Sequence, residues 1–302
     1  MSFAERVIKM RKKTTAAWDM KRSIEDDLDD PHAIAASKVN ISAKRVLAYP
    51  IGAPRASSMY DSCNRFHVIG TIEKYEKPEW SGVKERILFG IGNAYHYWVQ
   101  NNVDLFEDRR IGWWKCLACG KVHSFGKPPT KHCKCGAHPR ATEYLEHHME
   151  LKGKYPCGGH PDMFLYIDPH CTRVVELKSI KGDDFQKLKA PIIQHVYQIH
   201  TYMFGCAQDK TLPVETDPNL SYIMYLSKRH IVKTLPLKMF TVERDESIIR
   251  FIKKKTSDYK KGIENYPKFL PEPIDECMRN EFRNYRAKQC VCRTKCLELL
   301  DG

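Results

Sequence analysis

Long apolar runs and the motif of nucleotide-driven motors are missing from this sequence. No stretch approaches the roughly 20 apolar residues that a membrane-spanning helix needs, and the first residues, MSFAERVIKMRKK, lack the apolar centre of a secretory signal peptide. The pattern Gly-x-x-x-x-Gly-Lys-Ser/Thr, which cradles nucleotide phosphates, does not occur. We therefore expect a cytoplasmic protein that has no membrane partner and works without a built-in helicase motor.

Acidic residues are in the minority. The 302 residues include 37 Asp and Glu against 50 Lys and Arg, which gives a formal net charge of +13. An excess of this size favours a polyanionic partner, most often nucleic acid, and the alternative is a surface that is merely basic. With 42% hydrophobic residues, the chain can bury one large core or two smaller ones.

Cysteine, by contrast, is abundant, with twelve residues. Short-spaced groups at 116–135 and 277–296 are typical of metal ligation by thiolates in a reducing compartment. The first group predicts a zinc ribbon with a structural zinc, held by Cys116, Cys119, Cys133 and Cys135. Because the second pair is one residue shorter than usual, His123 or His132 in place of a cysteine is the alternative. The tryptophans and lysines of this segment predict either contacts with nucleic acid or a module that only docks on the core.

The order of patterns along the chain predicts five segments. They are an N-terminal helical or partly disordered arm at 1–56, the first part of the main domain at 57–112, the zinc ribbon at 113–138, the core at 139–235, and a basic helix with a cysteine cluster at 236–302. We predict helices at 57–70, at 85–103, from Pro191 onward and at 246–263, and strands at MFLYID, RVVELKS and LSYIMYLSKRHIV. Strands and helices mixed in this way indicate the α/β, or α+β, class.

One constellation predicts chemistry: Asp162, then thirteen residues, then Glu176-Leu177-Lys178. Because side chains alternate along a strand, Glu176 and Lys178 project on the same side. If Asp162 begins the neighbouring strand, the hairpin brings the two carboxylates together, and carboxylate oxygens suit a hard cation such as magnesium or manganese. The lysine would then stabilise a phosphate or a deprotonated water.

Pro161-Asp162, a spacer and Glu176-x-Lys178 together resemble the motif of the PD-(D/E)XK nuclease superfamily. The resemblance implies a restriction-endonuclease-like core, with a mixed central sheet flanked by helices. In this chain the core would carry two additions, the inserted zinc ribbon and the cysteine-rich C-terminal segment.

Two further elements are similar to those of the RecB-type exonuclease branch of that superfamily. One is Gln198-x-x-x-Tyr202, on the predicted helix after Pro191, and the other is Gly92 followed by His96 on the preceding helical pattern. The resemblance implies that the metal ligands are His96, Asp162, Glu176 and the Leu177 carbonyl. It also implies that Lys178 orients or deprotonates the attacking water, and that Gln198 and Tyr202 position the scissile strand or the lysine.

A third resemblance concerns the two ends of the main domain. Ser57 followed by Cys63-x-Arg65 is similar to the opening of RecB-type nucleases with an iron–sulfur cluster, such as the CRISPR-associated and AddB enzymes. It implies a 4Fe-4S cluster held by Cys63, Cys290, Cys292 and Cys296, with Cys277 as an extra candidate. The gaps of one and three residues between the last three cysteines depart from the family's two and five, so a second zinc and free thiols stay open as alternatives.

The residues and the resemblance together imply a metal-dependent DNA nuclease, and the end-processing motifs favour an exonuclease acting in recombination, replication or repair. Expected cofactors are magnesium or manganese, zinc and the 4Fe-4S cluster; expected partners are DNA and recombination or replication proteins. Compact length without a helicase motif suggests a stand-alone enzyme of a phage or mobile element in a bacterial host cell. The alternatives are a non-catalytic nucleic-acid binding factor on the same fold and a structure-specific endonuclease.

Overall fold

A computed structural model describes residues 49–77, 83–101, 106, 109–168, 171–228, 236–279 and 281–301. The chain divides into two compact units. The smaller unit comprises Met1–Tyr49 and Lys77–Ile87, and the larger comprises Pro50–Glu76 and Leu88–Gly302. Every residue of the sites considered below belongs to the larger unit. The predicted arm at 1–56 lies mostly outside the described residues.

The described strands form one large sheet and two small ones. In chain order they are β1 (Tyr49–Pro50), β2 (Glu76–Lys77), β3 (Arg110–Cys116), β4 (Val122–Gly126), β5 (Thr142–Leu145), β6 (Met149–Leu151), β7 (Cys157–Gly159), β8 (Met163–Asp168), β9 (Cys171–Ile180), β10 (Leu220–Ser227) and β11 (Leu237–Glu243). The large sheet has seven strands in the order β11-β10-β9-β8-β3-β4, with β5 also paired to β3. Strands β9 and β10 run parallel and the other described pairs in it run antiparallel, so the sheet is mixed.

Helices occupy both faces of this sheet. They are a short 3-10 helix (Ala56–Ser58), α1 (Asn64–Ile72), α2 (Val83–Asn101), α3 (Gly182–Lys187), α4 (Ile193–Cys206), α5 (Glu246–Glu264), α6 (Asp275–Met278), α7 (Tyr285–Gln289) and α8 (Arg293–Asp301). On one face, Phe164 and Val174 pack in a core with Ile199 of α4. On the other, Val175 packs in a second core with Val99 of α2. Burying each such side chain contributes roughly 1.5–3 kcal/mol, which is what fixes the helices on the sheet.

This architecture confirms the predicted fold class, a mixed central sheet flanked by helices. The strand pair MFLYID and RVVELKS is antiparallel, as predicted. The basic helix predicted at 246–263 is α5, and Asp245 caps it by accepting a hydrogen bond from the Ser247 amide.

Three predicted boundaries were wrong. The helix predicted at 57–70 begins only at Asn64, since Cys63 is its extended cap residue and the serines before it favour turns over helix. Ile192 is likewise extended, so α4 begins at Ile193 and not at Pro191. The strand predicted over LSYIMYLSKRHIV ends at Ser227, although part of that stretch lies outside the described residues.

None of the helices in the described part of the chain is both long enough and apolar enough to cross a membrane.

Candidate active site

The hairpin of β8 and β9 positions two carboxylates. Met163 pairs with Val175 in the antiparallel register, so Asp162, just before β8, falls opposite Glu176. Val175 is buried on the α2 side of the sheet, and alternation along β9 turns Glu176 and Lys178 to the α4 side. The hairpin predicted from the sequence therefore places the two carboxylates next to each other.

Asp162 is buried and its two oxygens face different neighbours. Oδ2 accepts a hydrogen bond from the Leu177 amide at 2.6 Å, and Oδ1 lies 3.3 Å from His96 Nδ1 on α2. Gln100, one helical turn beyond His96, donates to the Asp162 carbonyl at 2.8 Å and so fixes the backbone there. Burial disfavours the imidazolium of His96, but the hydrogen bond and charge of Asp162 outweigh it and raise the pKa of His96.

Glu176, which is buried, and Lys178, which is partly exposed, form a close ion pair. Lys178 Nζ lies 2.6 Å from Glu176 Oε1, while Glu176 is only 1% exposed. The other oxygen, Oε2, is buried and has no hydrogen-bond donor among the described residues. Burial, together with the negative charge of Asp162, raises the pKa of Glu176 well above its usual value. Burial would lower the pKa of Lys178, but the charges of Glu176 and Asp162 raise it.

Glu146 is a member of the site that the sequence analysis missed. It lies one residue beyond β5 and offers a carboxylate oxygen to a group with His96 and Asp162, in which the three ligand atoms are all within 4.8 Å of one another. Gln100 Nε2 donates to Glu146 Oε1 at 2.9 Å. Desolvation and the charge of Asp162 raise the pKa of Glu146. No motif marks this residue in the sequence, because its place depends on how β5 pairs with β3.

Gln198 and Tyr202 lie one above the other on α4 and are both buried. Gln198 Nε2 lies 3.4 Å from the Tyr202 hydroxyl, and that hydroxyl donates to the His160 carbonyl at 2.9 Å. A Cβ on Gly159 would come within 2.9 Å of the Tyr202 ring, so a glycine is needed for this close approach. The pair thus supports the segment that leads into Asp162. Burial raises the pKa of Tyr202 well above its usual value.

Other histidines near this segment have partners of their own. His147 Nε2 lies 2.8 Å from Asp209 Oδ2 in the interior, and His148 Nδ1 lies 3.0 Å from His160 Nε2. Burial and the nearby charges of His148 and Arg55 lower the pKa of His160.

The four cysteines of the predicted ribbon lie together at the ends of β3 and the following loops. The Sγ atoms of Cys116 and Cys135 are 3.7 Å apart, as are those of Cys119 and Cys133, and all four lie within 4.8 Å of one another. Zinc–sulfur bonds of about 2.3 Å in a tetrahedron place thiolates about 3.8 Å apart, so the set fits a zinc ion without a histidine. Strand β3 also pairs with β8, which joins the ribbon to the central sheet.

The C-terminal cysteines meet the beginning of α1. One cavity is lined by Cys63, Cys277, Cys290, Cys292 and Cys296, together with Phe66 and Ala287. Among the described residues, no three of these cysteines bring their sulfurs within 4.8 Å of one another. Hydrogen bonding from Cys292 lowers the pKa of Cys290 to about 7, which favours the thiolate.

Comparisons with known proteins found distant structural likenesses. No protein-family model matches the chain, and no curated protein matches it. The alkaline exonuclease LHK-Exo from Laribacter hongkongensis is similar at 11% identity with a TM-score of 0.41, over 71% of this chain and 89% of that chain. Its complex with dAMP gives 12% identity and a TM-score of 0.43, over 74% and 93% of the two chains. The protein SSO0001 gives 12% identity and a TM-score of 0.34, over 83% and 89%. Likenesses this distant do not transfer an activity to this chain.

Proposed function

We propose that the protein is a metal-dependent DNA exonuclease of the PD-(D/E)XK type, which hydrolyses phosphodiester bonds at DNA ends. This proposal is supported above all by the strand register, which sets Asp162 opposite Glu176. Lys178 Nζ lies 2.6 Å from Glu176 Oε1 beside them. His96 then closes the other side of Asp162. The net charge of +13 suits a polyanionic substrate.

The donor set fits a divalent cation. Lys178 pairs with Oε1 of Glu176, whereas Oε2 is buried without a donor among the described residues. An unpaired buried carboxylate oxygen is costly, and a cation bound to Oε2 would remove that cost. The residues that would hold the cation are His96, Asp162, Glu176 and the Leu177 carbonyl. A cation bound there would stabilise negative charge on the scissile phosphate and lower the pKa of a water molecule.

Three side chains around the cation position have further roles in the proposed reaction. Lys178 keeps its proton near neutral pH because its pKa is raised, so it donates to a phosphate oxygen or orients the attacking water. Gln198 and Tyr202 act as positioning residues, since they hold the His160 carbonyl and so the approach to Asp162.

Two further metal groups belong to the proposal. The ribbon cysteines would hold a structural zinc, supported by their two sulfur pairs at 3.7 Å. Cys63, Cys290, Cys292 and Cys296 would hold a 4Fe-4S cluster, with Cys277 in the same cavity. We place the enzyme in DNA end processing during recombination, replication or repair, beside the proteins of those processes, in a bacterial cell that hosts a phage or mobile element.

The first test is cleavage of end-labelled linear DNA, with covalently closed circular DNA in parallel, in the presence of manganese or magnesium. We expect the linear substrate to be shortened from an end and the circle to stay intact. Glu176→Gln keeps the shape of the side chain but removes its charge, and we expect it to slow cleavage at least about a hundredfold while DNA affinity stays within about twofold. The matched control is Glu150→Gln, on β6, which removes an exposed carboxylate paired with Lys152.

Each other outcome assigns a different function. Equal cleavage of circles and linear molecules would identify an endonuclease. Tight DNA binding without cleavage by the wild-type protein would identify a binding factor. Full activity in Glu176→Gln would show that the chemistry lies elsewhere.

A further inference from the structure

The outer part of the cysteine ribbon, residues 117–142, carries charged side chains of one sign only and is called the ribbon tip below. It contains five lysines and arginines but no Asp or Glu. All five are exposed: Lys121, Lys127, Lys131, Lys134 and Arg140. A zinc ion held by four thiolates would carry a net negative charge, but a smaller one than the positive charge of these side chains together. The function proposed above gives these cations no role.

Several lysines elsewhere in the described chain are paired with carboxylates. Lys254 Nζ lies 2.9 Å from Asp258 Oδ2, and Lys115 Nζ, at the base of the ribbon, lies 3.1 Å from Glu143 Oε1. None of the five cations of the ribbon tip has an ion pair with a described residue. The positive charge of the tip is therefore available to an anion from outside the protein.

Strand β3 leads to the ribbon tip at the end of the sheet where the candidate active site lies. Ile111 pairs with Phe164 in antiparallel register. Later residues of β3 therefore run past the beginning of β8, and Asp162 lies just before that beginning.

The pairing of β3 with β5 shows how close the ribbon tip is to the site. Trp113 pairs with Leu145, and the next residue, Glu146, has a ligand atom within 4.8 Å of those of His96 and Asp162. From Trp113, the strand needs three more residues to reach the last position before the tip, which at about 3.3 Å per residue is about 10 Å. The tip therefore begins about 10 Å beyond the candidate active site.

We propose that the ribbon tip binds the phosphate backbone of DNA beside the candidate active site. Successive nucleotides of one DNA strand advance about 3.4 Å along the helix axis, so the tip would contact phosphates about three or more positions from the one at Asp162. This distance along the DNA rests on the proposed nuclease function, whereas the binding itself does not. Exposed lysines bind phosphates without regard to base sequence, so the tip would add affinity and no sequence preference.

The test measures DNA binding by the full-length protein without added magnesium, manganese or chelator. Fluorescence anisotropy of end-labelled DNA, duplex and single-stranded, gives the affinity at salt concentrations from about 50 to 200 mM. We expect the double variant Lys131→Gln, Lys134→Gln to bind at least one of the two forms at least about tenfold more weakly. The slope of log affinity against log salt should become shallower by about 1.4–1.8, the value for two lost phosphate contacts.

The matched control is the double variant Lys210→Gln, Lys268→Gln, which removes the same charge at two exposed positions outside the ribbon. We expect its affinity to stay within about twofold of the wild type. In cleavage assays, the ribbon variant should need more DNA to reach its half-maximal rate but keep the rate at saturation, because it changes no residue of the candidate active site.

Two results would overturn the inference. Unchanged affinity of the ribbon variant for both DNA forms would mean that the ribbon only docks on the core, and an equal loss in the control would mean that net charge alone matters. Cleavage separates this inference from the proposed function. Weakened binding by the ribbon variant, with a wild type that cleaves no DNA, would remove the nuclease function and leave the inference standing.

Discussion

At the scale of single residues, Glu176 is a carboxylate that is buried but only partly compensated by positive charge. It is 1% exposed, yet only Oε1 has a cationic partner, Lys178. Its raised pKa reflects burial and the charge of Asp162, so in the absence of a cation a proton is the available source of compensation. Because a carboxylate binds a metal ion in its deprotonated form, metal binding at Glu176 should weaken as the pH falls.

His195 provides a pH-dependent prediction. It lies on α4, with Nδ1 2.8 Å from the Tyr225 hydroxyl, and burial with the nearby charge of Lys178 lowers its pKa to about 4. An unfolded chain protonates histidine near pH 6.5. Between these values the unfolded state binds more protons, so the stability contributed by neutral His195 is complete above about pH 6.5 and is lost as the pH falls toward 4, by at most about 3 kcal/mol.

Urea unfolding of the wild type and of His195→Asn at several pH values measures this contribution. The asparagine keeps a polar group near Tyr225 but does not titrate, so we expect the difference in unfolding free energy between the two proteins to shrink as the pH falls from 6.5 to 4. A difference that is constant over this range would mean that His195 titrates normally in the folded protein.

The sequence predicted the proximity of those site residues that lie on neighbouring positions of one strand or of one hairpin. Glu176 and Lys178 share a face because strands alternate, and a short hairpin sets Asp162 opposite Glu176. Glu146 was out of reach, because its position requires the pairing of β5 with β3 and the reach of Gln100 from α2. Those are tertiary contacts, and no spacing in the sequence encodes them.

At the scale of elements, β3 serves two structures at once. Its first residues, Arg110 and Ile111, pair with β8 in the central sheet, and its last residue, Cys116, is a member of the ribbon tetrad. The sequence predicted the four cysteines together because closely spaced pairs can reach one tetrahedral ion. It did not predict that the strand begins before residue 113, since glycine and cysteine punctuation hides the short run of pairing residues.

We predict that Cys119→Ser removes one zinc ion per chain. Three thiolates bind zinc far more weakly than four, and two of the four cysteines, Cys133 and Cys135, lie in the loop after β4. Metal analysis should show the loss, and trypsin should then cut after Lys131 and Lys134, in the loop that carries Cys133 and Cys135. Cys171→Ser, which changes a cysteine remote from both groups in sequence, is the control. Equal zinc content in all three proteins would contradict the assignment of zinc to the ribbon.

At the scale of the whole molecule, the C-terminal segment returns to the beginning of the larger unit. Arg65 Nη2 on α1 donates to the Cys296 carbonyl at 3.2 Å, and Arg286 donates to the Asp61 carbonyl. Cys292 packs in a small core with Ile51 and Ile69. The family resemblance implied that these distant parts meet; local patterns did not, because the contacts join residues more than 220 positions apart.

A ligand that bridges Cys63 and the last three cysteines would hold this segment in place. The helices there are short, from four to nine residues, and helices of that length are not stable alone. We therefore predict that Cys63→Ser removes the visible absorption of an anaerobically purified sample. It should also make 275–301, which is rich in arginine and lysine, the first region that trypsin cuts, whereas Cys171→Ser should behave like the wild type. If Cys63→Ser loses the absorption but resists trypsin as well as the wild type, the contacts of Arg65, Arg286 and Cys292 hold the segment by themselves.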